Sequence, residues 1–569
     1  MEHYGPETPA SQAVMRMKYL QHNETFRDAC NRVAWPLADG PDHYHSFRRL
    51  LLSQRFLTGG RIMAATGTSK ATTAFNCFVS GQISDSFVSG EGNIMQRAAE
   101  AAATMRMGGG IGYDFSTLRP RGDMIRGLQS HSSGPVSFME IFNAVGLCIA
   151  SSGHRRGAQM GVLRVDHPDI EEFIHAKHNT HKLTGFNISI AVTDTFMEAV
   201  KSDNMFELRF EGTSYRTIRA RELWEKIMRS TWDWAEPGVI FIDRMNAMNN
   251  LHYAETIFTT NPCSEQPLPP YGACLLGSVN LVKYLVPISQ PVPAKNPHYS
   301  FDMEQLAADI PVIVTALDNV VDDTIYPLPE QEQEAKNKRR MGIGITGLAN
   351  TLAAIGLTYG SEEAAVWTEL LLQRLNNEAY RASAKLAARR GAFPMFRKEP
   401  YLDGRFVQNL DPDVRDLIAE YGIRNSHLTS IAPTGTISFC ADNVSSGIEP
   451  VFSHNEQRIV NTPEGPQTFQ VQDYAYKFLG IECPTANDLD PEAHVRLLTA
   501  AARWVDSSVS KTVNVPNTIA WEDFKDLYMQ VYEAGGKSCA TYTMEGKRPS
   551  IRTEIKDCSE GECAVGEAA

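Results

Sequence analysis

The chain has 569 residues, of which 43% are hydrophobic and 21% are charged, proportions typical of a folded soluble protein. Its 54 basic and 67 acidic side chains leave a net charge of −13, which argues against a protein that grips nucleic acid along a basic groove. No apolar run reaches the roughly 18 residues of a membrane span, and the N-terminus lacks a signal-peptide pattern. We therefore expect a cytoplasmic protein without nucleic-acid or membrane partners.

Helices and short strands alternate along the chain, which predicts an α/β protein with buried parallel strands. The predicted helices cover residues 92–107 and 362–390, and the predicted strands cover 187–192, 238–242 and 428–432. The polar, acidic end of the chain has little to bury. We expect an N-terminal helical segment (residues 1–50), one large catalytic unit (51–550) and a flexible tail (551–569).

The ten cysteines are too sparse for a disulfide scaffold, which indicates a reducing compartment. No Cys-x-x-Cys motif occurs, so a four-cysteine zinc site is not predicted. His167, His175, His178 and His181 have near-helical spacings, but no further ligand type completes a set beside them. The sequence therefore predicts no metal site.

The segment from Asn261 to Cys274, NPCSEQPLPPYGAC, carries the strongest chemical signal. Four prolines forbid a helix and favour an extended loop, in which Asn261, Cys263 and Glu265 alternate onto one side. An amide, a thiol and a carboxylate together suit redox or radical chemistry with a base. The structural alternative is a buried cysteine beside a solvated glutamate.

Two further segments are candidates for binding phosphate groups. In IAPTGTIS, a short apolar run ends in a turn that offers backbone N–H groups and hydroxyls, at Thr434, Gly435, Thr436 and Ser438. The alternative there is an ordinary helix N-cap. The glycine block at 107–112 lacks nucleotide-loop spacing and is expected to end a helix, whereas Arg119 and Arg126 could hold a triphosphate or be surface arginines.

Several motifs, in order, resemble the catalytic subunit of ribonucleotide reductase. The matching blocks run from about residue 50 to the end of the chain: TGGRIMAATGT to NCFVSG (58–81), MGGGIGYDFSTLRPRGDMIRG (107–127), SSGPVSFMEIFNAVG (132–146), SSGHRRGAQMGVLRVDHPDIEEFI (151–174), NPCSEQPLPPYGACLLGSVNL (261–281), RRMGIGITGLA (339–349) and IAPTGTIS (431–438). The resemblance implies a ten-stranded α/β barrel of two antiparallel five-stranded halves, with a central finger loop carrying the catalytic Cys263.

The resemblance also implies a reaction. Cys263 would form a transient thiyl radical that removes the 3′ hydrogen of a ribonucleotide, Glu265 would take the 3′-hydroxyl proton, and Asn261 would hold the ribose hydroxyls. Cys77 and Cys274 would supply two electrons by becoming a disulfide. Asn76 departs from the serine found in many relatives, which puts a substrate contact there in doubt.

By the same resemblance the enzyme is a homodimer regulated by a deoxynucleoside triphosphate (dNTP) or ATP, bound with Mg²⁺. Asp85, Arg119 and Arg126 are the expected effector-binding residues. A deformable loop would carry the effector's identity to the substrate base; its residues are Gly153, Arg155, Arg156, Gly157, Ala158 and Gln159. The family blocks begin at about residue 50, so an N-terminal ATP cone is not expected.

The tail contains the block CSEGECAV, in which Cys558 and Cys563 form a C-x4-C pair. A flexible tail can enter the site, exchange thiols with an internal disulfide, and carry the oxidation to a thioredoxin- or glutaredoxin-like reductant. The alternative is a pair of exposed spectator thiols.

Two radical sources remain open. The sequence motifs of the catalytic core resemble the adenosylcobalamin-dependent class. The tail, and Tyr542 as a radical relay candidate, instead resemble the class fed by a separate metal-containing radical-generating small subunit. We expect the separate subunit, with adenosylcobalamin as the alternative. A glycyl-radical enzyme or a non-catalytic nucleotide-sensing homologue is also conceivable, but the tail cysteines and the complete redox set argue against them.

Overall fold

The computed structural model describes residues 4–125, 127–151, 155–156, 158–179, 181–288, 299–462, 465–516, 518–543 and 553–554. The α-helices of this part of the chain are α1 Pro9–Lys18, α2 Phe26–Ala34, α3 Pro41–Leu52, α4 Gly60–Ala65, α5 Ile94–Arg106, α6 Pro135–Cys148, α7 Ile170–Ile174, α8 Asp194–Lys201, α9 Ala220–Trp234, α10 Ile242–Ala247, α11 Met303–Asp323, α12 Pro329–Lys338, α13 Leu348–Ala354, α14 Glu362–Arg390, α15 Lys398–Leu402, α16 Pro412–Tyr421, α17 Gly435–Phe439, α18 Pro491–Ala502 and α19 Trp521–Glu533.

The strands alternate with these helices along most of the chain. They are β1 Phe56–Thr58, β2 Cys77–Val79, β3 Gly110–Asp114, β4 Met124–Ile125, β5 Ser130–His131, β6 Ala150–Ser151, β7 Arg155–Arg156, β8 Gln159–Arg164, β9 Phe186–Val192, β10 Met205–Phe210, β11 Thr213–Arg219, β12 Gly238–Phe241, β13 Thr259–Thr260, β14 Pro267–Leu268, β15 Ala273–Cys274, β16 Leu276–Asn280, β17 Leu285–Pro287, β18 Tyr299–Phe301, β19 Gly342–Thr346, β20 Asn455–Thr462, β21 Gly465–Gln472, β22 Thr512–Val515, β23 Ser538–Thr543 and β24 Thr553–Glu554.

An eight-stranded sheet forms the centre of the molecule, in the order β15-β2-β3-β8-β9-β12-β23-β22. The strands from β2 to β12 run parallel, and the pairs β15/β2 and β12/β23 are antiparallel. A second sheet has the order β1-β16-β19. Strands β3, β8, β9 and β19 are almost entirely buried, as parallel strands covered by helices are. The predicted α/β class is confirmed.

Local sequence explains where the longest helix begins and ends. The Ser361 side chain accepts a hydrogen bond from the Ala364 N–H at the start of α14, and Gly391 ends the helix with a φ of +82°. The bounds predicted for this helix are those observed. Helix α5 likewise lies inside its predicted range, and the glycine block after it leads into β3.

Residues 428–432 were expected to form a strand, but they do not form a regular one. They form only isolated parallel bridges, Ile343 to Thr429 and Ile431 to Val509, between β19 and the segment that precedes β22. Among the described residues, no helix is long and apolar enough to cross a membrane.

Candidate functional site

Residues 261–266 form the tip of a tight hairpin between β13 and β14. Asn261 organises the turn, because its N–H donates to the Gln266 carbonyl at 3.1 Å and its Oδ1 accepts from the Gln266 N–H at 2.9 Å. Ser264 has a φ of +65°, which breaks the regular alternation expected of an extended loop. As a result Cys263 is exposed at the tip, whereas Asn261 and Glu265 are buried.

Neighbouring strands hold this hairpin in place. Asn187 of β9 donates from Nδ2 to the Pro262 carbonyl at 3.0 Å. On the other side, the Glu265 carbonyl accepts from Ser430 Oγ at 2.8 Å and from the Ser508 N–H at 3.0 Å. The reactive tip is therefore fixed by bonds from both sides.

Two glycines of β3 make room for the hairpin. A Cβ on Gly112 would lie 1.9 Å from the Thr260 carbonyl oxygen. A Cβ on Gly110 would lie 3.1 Å from Cys77 Sγ and 3.2 Å from both Pro262 Cγ and the Ala158 carbonyl oxygen. Gly110 thus marks the place where the hairpin tip, Cys77 and the predicted specificity loop meet.

Burial sets the electrostatics of Glu265. It raises the pKa of the carboxyl from 4.5 to about 7, and the neighbouring Asn261 amide opposes this rise. Within the described part of the chain, Glu265 Oε2 and Asn261 Nδ2 make no hydrogen bond of ordinary length and angle, although the amide lies close enough to the carboxyl to oppose the rise in its pKa. A buried acceptor and a buried donor side by side are costly unless a ligand with hydroxyl groups satisfies them.

Cys77 and Cys274 lie opposite each other on two antiparallel strands. The β15/β2 register pairs them directly. Residues so paired have Cα atoms about 4.5–5.5 Å apart, within the range of about 4.4–6.8 Å that a disulfide needs. Burial, followed by the Glu265 charge, raises the pKa of the Cys274 thiol well above its ordinary value. The pair can therefore form a disulfide, and Cys274 stays protonated until it reacts.

The predicted phosphate segment forms a turn into the short helix α17. Thr434 has a φ of +52°; its Oγ1 lies 3.0 Å from Thr346 Oγ1 and accepts from the Gly447 N–H at 2.8 Å. Ser438 Oγ lies 2.9 Å from Ser446 Oγ. Two of the predicted hydroxyls are thus engaged inside the protein. The first N–H groups of α17, beginning at the exposed Gly435, remain the donors available to an anion.

A cavity of about 600 Å³ opens beside the hairpin tip. Residues 262–264 form one side, and residues of β9, β12, β22 and β23 form the others. Tyr542 of β23 also lines this cavity, as does Pro433 immediately before the phosphate turn. Its volume suits a small organic ligand, and the Cys263 thiol is reachable from it.

The predicted effector residues are brought together in part. Arg119 Nε lies 2.6 Å from Asp85 Oδ2, and the Arg119 N–H donates to Asp85 Oδ1 at 3.1 Å. Arg126 lies outside the described residues. In the specificity loop, the backbones of Arg155 and Arg156 pair with β6, while Gly153 and Gly157 also lie outside the described residues.

Gln159 is buried at the start of β8. Its Oε1 accepts from the Tyr113 hydroxyl at 2.9 Å, and its Nε2 donates to the Phe142 carbonyl at 3.1 Å. Both ends of the amide therefore support the base of the specificity loop. Contact between Gln159 and a nucleotide base stays a prediction.

Sequence reasoning missed the groups that hold the hairpin. Asn187, Ser430 and Ser508 are far from the hairpin in sequence, and no local motif marks them. The tail cysteines, Cys558 and Cys563, lie outside the described residues.

Comparisons with known proteins place the chain among described relatives. A family model described as "Ribonucleotide reductase, barrel domain" matches residues 75–480 and 483–542. A vitamin B12-dependent ribonucleoside-diphosphate reductase of Mycobacterium tuberculosis is 34% identical, over 94% of this chain and 79% of its own. A protein of the same description from Thermoplasma acidophilum is 31% identical, over 96% and 72%. The vitamin B12-dependent ribonucleotide reductase of Streptomyces coelicolor is 27% identical, over 98% and 66%.

These relatives correct one expectation. The separate metal-containing subunit expected as radical source is wrong, because the relatives carry the description vitamin B12-dependent. A tail that re-reduces an internal disulfide is useful whatever the radical source, so its spacing does not identify that source. The relay role of Tyr542 depended on the separate subunit and stays an untested prediction.

Proposed function

Because the chain belongs to the ribonucleotide reductase family, we propose that it reduces ribonucleoside diphosphates to 2′-deoxyribonucleoside diphosphates through a thiyl radical on Cys263. The choice of diphosphates follows the descriptions of the relatives. The observation that carries the proposal is the pair of unpartnered buried atoms, Asn261 Nδ2 and Glu265 Oε2, on the hairpin that carries Cys263. They offer a donor and an acceptor to ribose hydroxyls.

The proposed reaction balances with the thiols present. The Cys263 radical takes the 3′ hydrogen, and Glu265 accepts the 3′-hydroxyl proton. The 2′-hydroxyl leaves as water, and Cys77 with Cys274 supplies two electrons and two protons as their disulfide forms. The Cys263 hydrogen then returns to C3′, and Glu265 returns its proton to the 3′ oxygen, so that both residues end the cycle as they began it. The high pKa of Cys274 suits this role, because a protonated thiol can deliver hydrogen.

The α17 turn is proposed to bind the substrate phosphates. Its first backbone N–H groups face no carbonyl of their own helix, and such groups bind anions. A Cβ on Gly435 would meet no atom within 4 Å, so the turn is open at this point. Thr434 and Ser438 would act by shaping the turn, whereas Gly435 and Thr436 would contact phosphate.

Adenosylcobalamin is proposed as the source of the radical, following the descriptions of the relatives, and the cavity of about 600 Å³ has room for its adenosyl part beside Cys263. Cys263 is exposed and lines the cavity, so its thiol can be reached by a bound group without movement of the hairpin. The strands β9, β12, β22 and β23 would hold that group. When bound, adenosylcobalamin supplies a carbon-centred radical. The hairpin's contribution is to present the Cys263 hydrogen to it.

We also propose that the strands close into the ten-stranded barrel. Strand β15 pairs with β2 at one end of the eight-stranded sheet and continues directly into β16 of the second sheet. The parallel bridges from β19 through Thr429 and Ile431 to Val509 lead to β22 at the other end. A Cβ on Gly344 would lie 2.4 Å from the Ser430 carbonyl oxygen, so β19 and this segment approach closely.

Regulation by a dNTP or ATP, bound with Mg²⁺, is proposed at the Asp85–Arg119 pair in a homodimer. Exposed apolar side chains cluster on α5, on α6 and before α5, which suits contact with a second copy: Phe87, Val88, Met95 and Leu147. The specificity loop begins beside this surface and ends at Gly110, next to Cys77. That position would let an effector influence the substrate base.

We propose a role for each of three segments of the chain. Residues 1–50 would be a helical segment, and residues 51–550 the catalytic unit. Residues 551–569 would be a redox tail whose Cys558 and Cys563 pass electrons from a thioredoxin- or glutaredoxin-like protein to the Cys77–Cys274 disulfide.

The decisive experiment is a turnover assay with the purified chain. Adenosylcobalamin, a small dithiol and a ribonucleoside diphosphate should yield the 2′-deoxynucleotide, and omission of adenosylcobalamin should abolish the product. The same assay with the triphosphate tests the choice of substrate. Deoxynucleotide formation without adenosylcobalamin, or no product with it, would contradict the proposal.

A further inference from the structure

Arg97 of helix α5 is buried and lies against the segment that follows the Cys263 hairpin, between β14 and β15. Its Nη1 donates to the Tyr271 hydroxyl and, at 2.7 Å, to Glu100 Oε2. Its Nε donates to the Gln82 carbonyl at 2.9 Å. The guanidinium carbon lies 5.2 Å from the centre of the Tyr271 ring. One buried cation therefore joins α5, the chain after β2, and the segment between β14 and β15.

Tyr271 is held in an unfavourable backbone conformation. Its φ is +64°, a region that bulky residues rarely adopt. Gly81 makes room for the ring, because a Cβ there would lie 2.5 Å from Tyr271 Cζ and 2.6 Å from Arg97 Cζ. A strained backbone conformation persists only where surrounding contacts enforce it. For Tyr271 these contacts include the bonds made by Arg97.

The position of Tyr271 matters for the two facing cysteines. It precedes β15, and β15 has only two residues, Ala273 and Cys274, to set its register against β2. So short a strand specifies register weakly, and a slip of one residue would turn Cys274 to the opposite face. The pairing extends one step towards Tyr271, because the Val79 N–H donates to the Gly272 carbonyl at 2.9 Å, so the position of Tyr271 decides where β15 begins.

We propose that Arg97, Glu100 and Tyr271, here called the Arg97 clamp, are positioning residues that hold Cys274 opposite Cys77. The inference rests on the proposed function, which assigns the two electrons of each turnover to this pair. Burying a charged arginine costs free energy, which packing alone would not offset. The planar guanidinium group directs its N–H donors in fixed directions and can hold several partners at once. Glu100 supplies the compensating charge.

The clamp can be tested on the thiol pair itself, without turnover. The parent protein carries Cys558→Ser and Cys563→Ser, so that the tail cannot exchange. Oxidised dithiothreitol, a cyclic disulfide, takes two electrons and two protons from Cys77 and Cys274 and becomes a dithiol, while the protein disulfide forms. Peptide mass spectrometry then gives the equilibrium ratio of disulfide to dithiol.

Tyr271→Phe removes one hydroxyl and keeps the ring. We expect the equilibrium constant for disulfide formation to fall about three- to tenfold, the range of one ordinary lost hydrogen bond. Arg97→Lys keeps the charge but not the fork, and should show the same loss. With substrate, kcat should fall while KM stays constant, because the clamp does not touch the substrate site.

Tyr284→Phe is the matched control. Tyr284 is buried, its hydroxyl donates to Asp309 Oδ2 at 2.9 Å, and the Arg55 guanidinium lies 5.6 Å from its ring centre. Like Tyr271 it places its hydroxyl on a charged group and its ring beneath an arginine, although here the hydroxyl donates to a carboxylate, and its substitution should leave the equilibrium constant unchanged.

Different results would contradict the clamp and the proposed role of the cysteine pair. An unchanged equilibrium constant in both Tyr271→Phe and Arg97→Lys, or an equal fall in Tyr284→Phe, would overturn the clamp. If substrate turnover in the parent oxidises neither Cys77 nor Cys274, the proposed function of the pair fails instead.

Discussion

The exposed Cys263 thiol is the atom on which the proposed reaction depends. Cys263→Ser is nearly isosteric, but an O–H bond is too strong to yield the required radical, so we expect reduction to fall below detection. Binding of the ribonucleotide should persist, because the serine leaves Asn261 and Glu265 in place. Turnover assays and equilibrium dialysis measure the two properties. Cys148→Ser, at an exposed cysteine in α6, is the control and should keep full turnover.

Glu265 predicts a pH profile. The carboxyl must be deprotonated to accept a proton, and burial raises its pKa in the free enzyme to about 7, so kcat/KM should rise with pH through about 7. Glu265→Gln should lower kcat by roughly 10²- to 10⁴-fold, the usual contribution of a general base. The variant should also lose this rise. A variant that retained the wild-type profile would show that another group titrates.

The same shift has a consequence for stability. A carboxyl whose pKa rises on folding, here from 4.5 to about 7, holds its proton more tightly in the folded state. Its contribution is complete below about pH 4.5 and is lost as the pH rises through 7. The free energy of unfolding of the wild type should therefore fall by about 3 kcal/mol relative to Glu265→Gln across this window. Urea unfolding of both proteins at either end of the window measures the difference.

At the scale of elements, the hairpin depends on the missing side chain of Gly112. A Cβ there would lie 1.9 Å from the Thr260 carbonyl, so Gly112→Ala must displace β3 or the hairpin. We expect a loss of about 1–3 kcal/mol in the free energy of unfolding, the usual cost of overpacking, measured by urea unfolding.

The control for this prediction is Gly435→Ala. A Cβ on Gly435 would meet nothing within 4 Å, and the residue opens helix α17. Its free energy of unfolding should stay within about 1 kcal/mol of the wild type. Equal destabilisation of both variants would show that Gly112 is not specially constrained.

Local patterns predicted the elements whose causes are local. Helix α14 has its cap at Ser361 and its stop at Gly391 within the segment itself, and its bounds were predictable. Strands β9 and β12 also lie where apolar runs placed them. The Cys263 motif indicated the chemistry because an amide, a thiol and a carboxylate occur together in five residues.

Features that depend on distant contacts could not be predicted. The turn at Ser264 buries Glu265 and exposes Cys263, against the alternation expected of an extended loop. The partners of Gln159, Tyr113 and Phe142, come from other elements and engage both ends of its amide. Such contacts arise from the packing of elements far apart in sequence, which no local pattern encodes.

For the whole molecule, the proposed reaction requires that electrons reach the Cys77–Cys274 disulfide inside the protein. We expect Cys558→Ser with Cys563→Ser to stop repeated turnover with a thioredoxin-like protein, because that bulky reductant cannot enter the site. A single turnover, or turnover with a small dithiol, should continue. Steady-state rates with the protein reductant that match the wild type would show the tail cysteines to be spectators.

The radical source is the last property that concerns the whole molecule, and Tyr542 tests it. The residue lines the cavity beside Cys263, and it is followed by Thr543 where a two-tyrosine relay would need a second phenol. Bound adenosylcobalamin would supply its radical beside the Cys263 thiol, so that no relay through the phenol would be required. We expect Tyr542→Phe to keep kcat within about twofold in an adenosylcobalamin-supported assay, since only one hydroxyl is removed from the wall. A rise in KM for the cofactor would be compatible with that wall position. Complete loss of turnover in Tyr542→Phe, with adenosylcobalamin still bound, would instead mean that the phenol carries the radical.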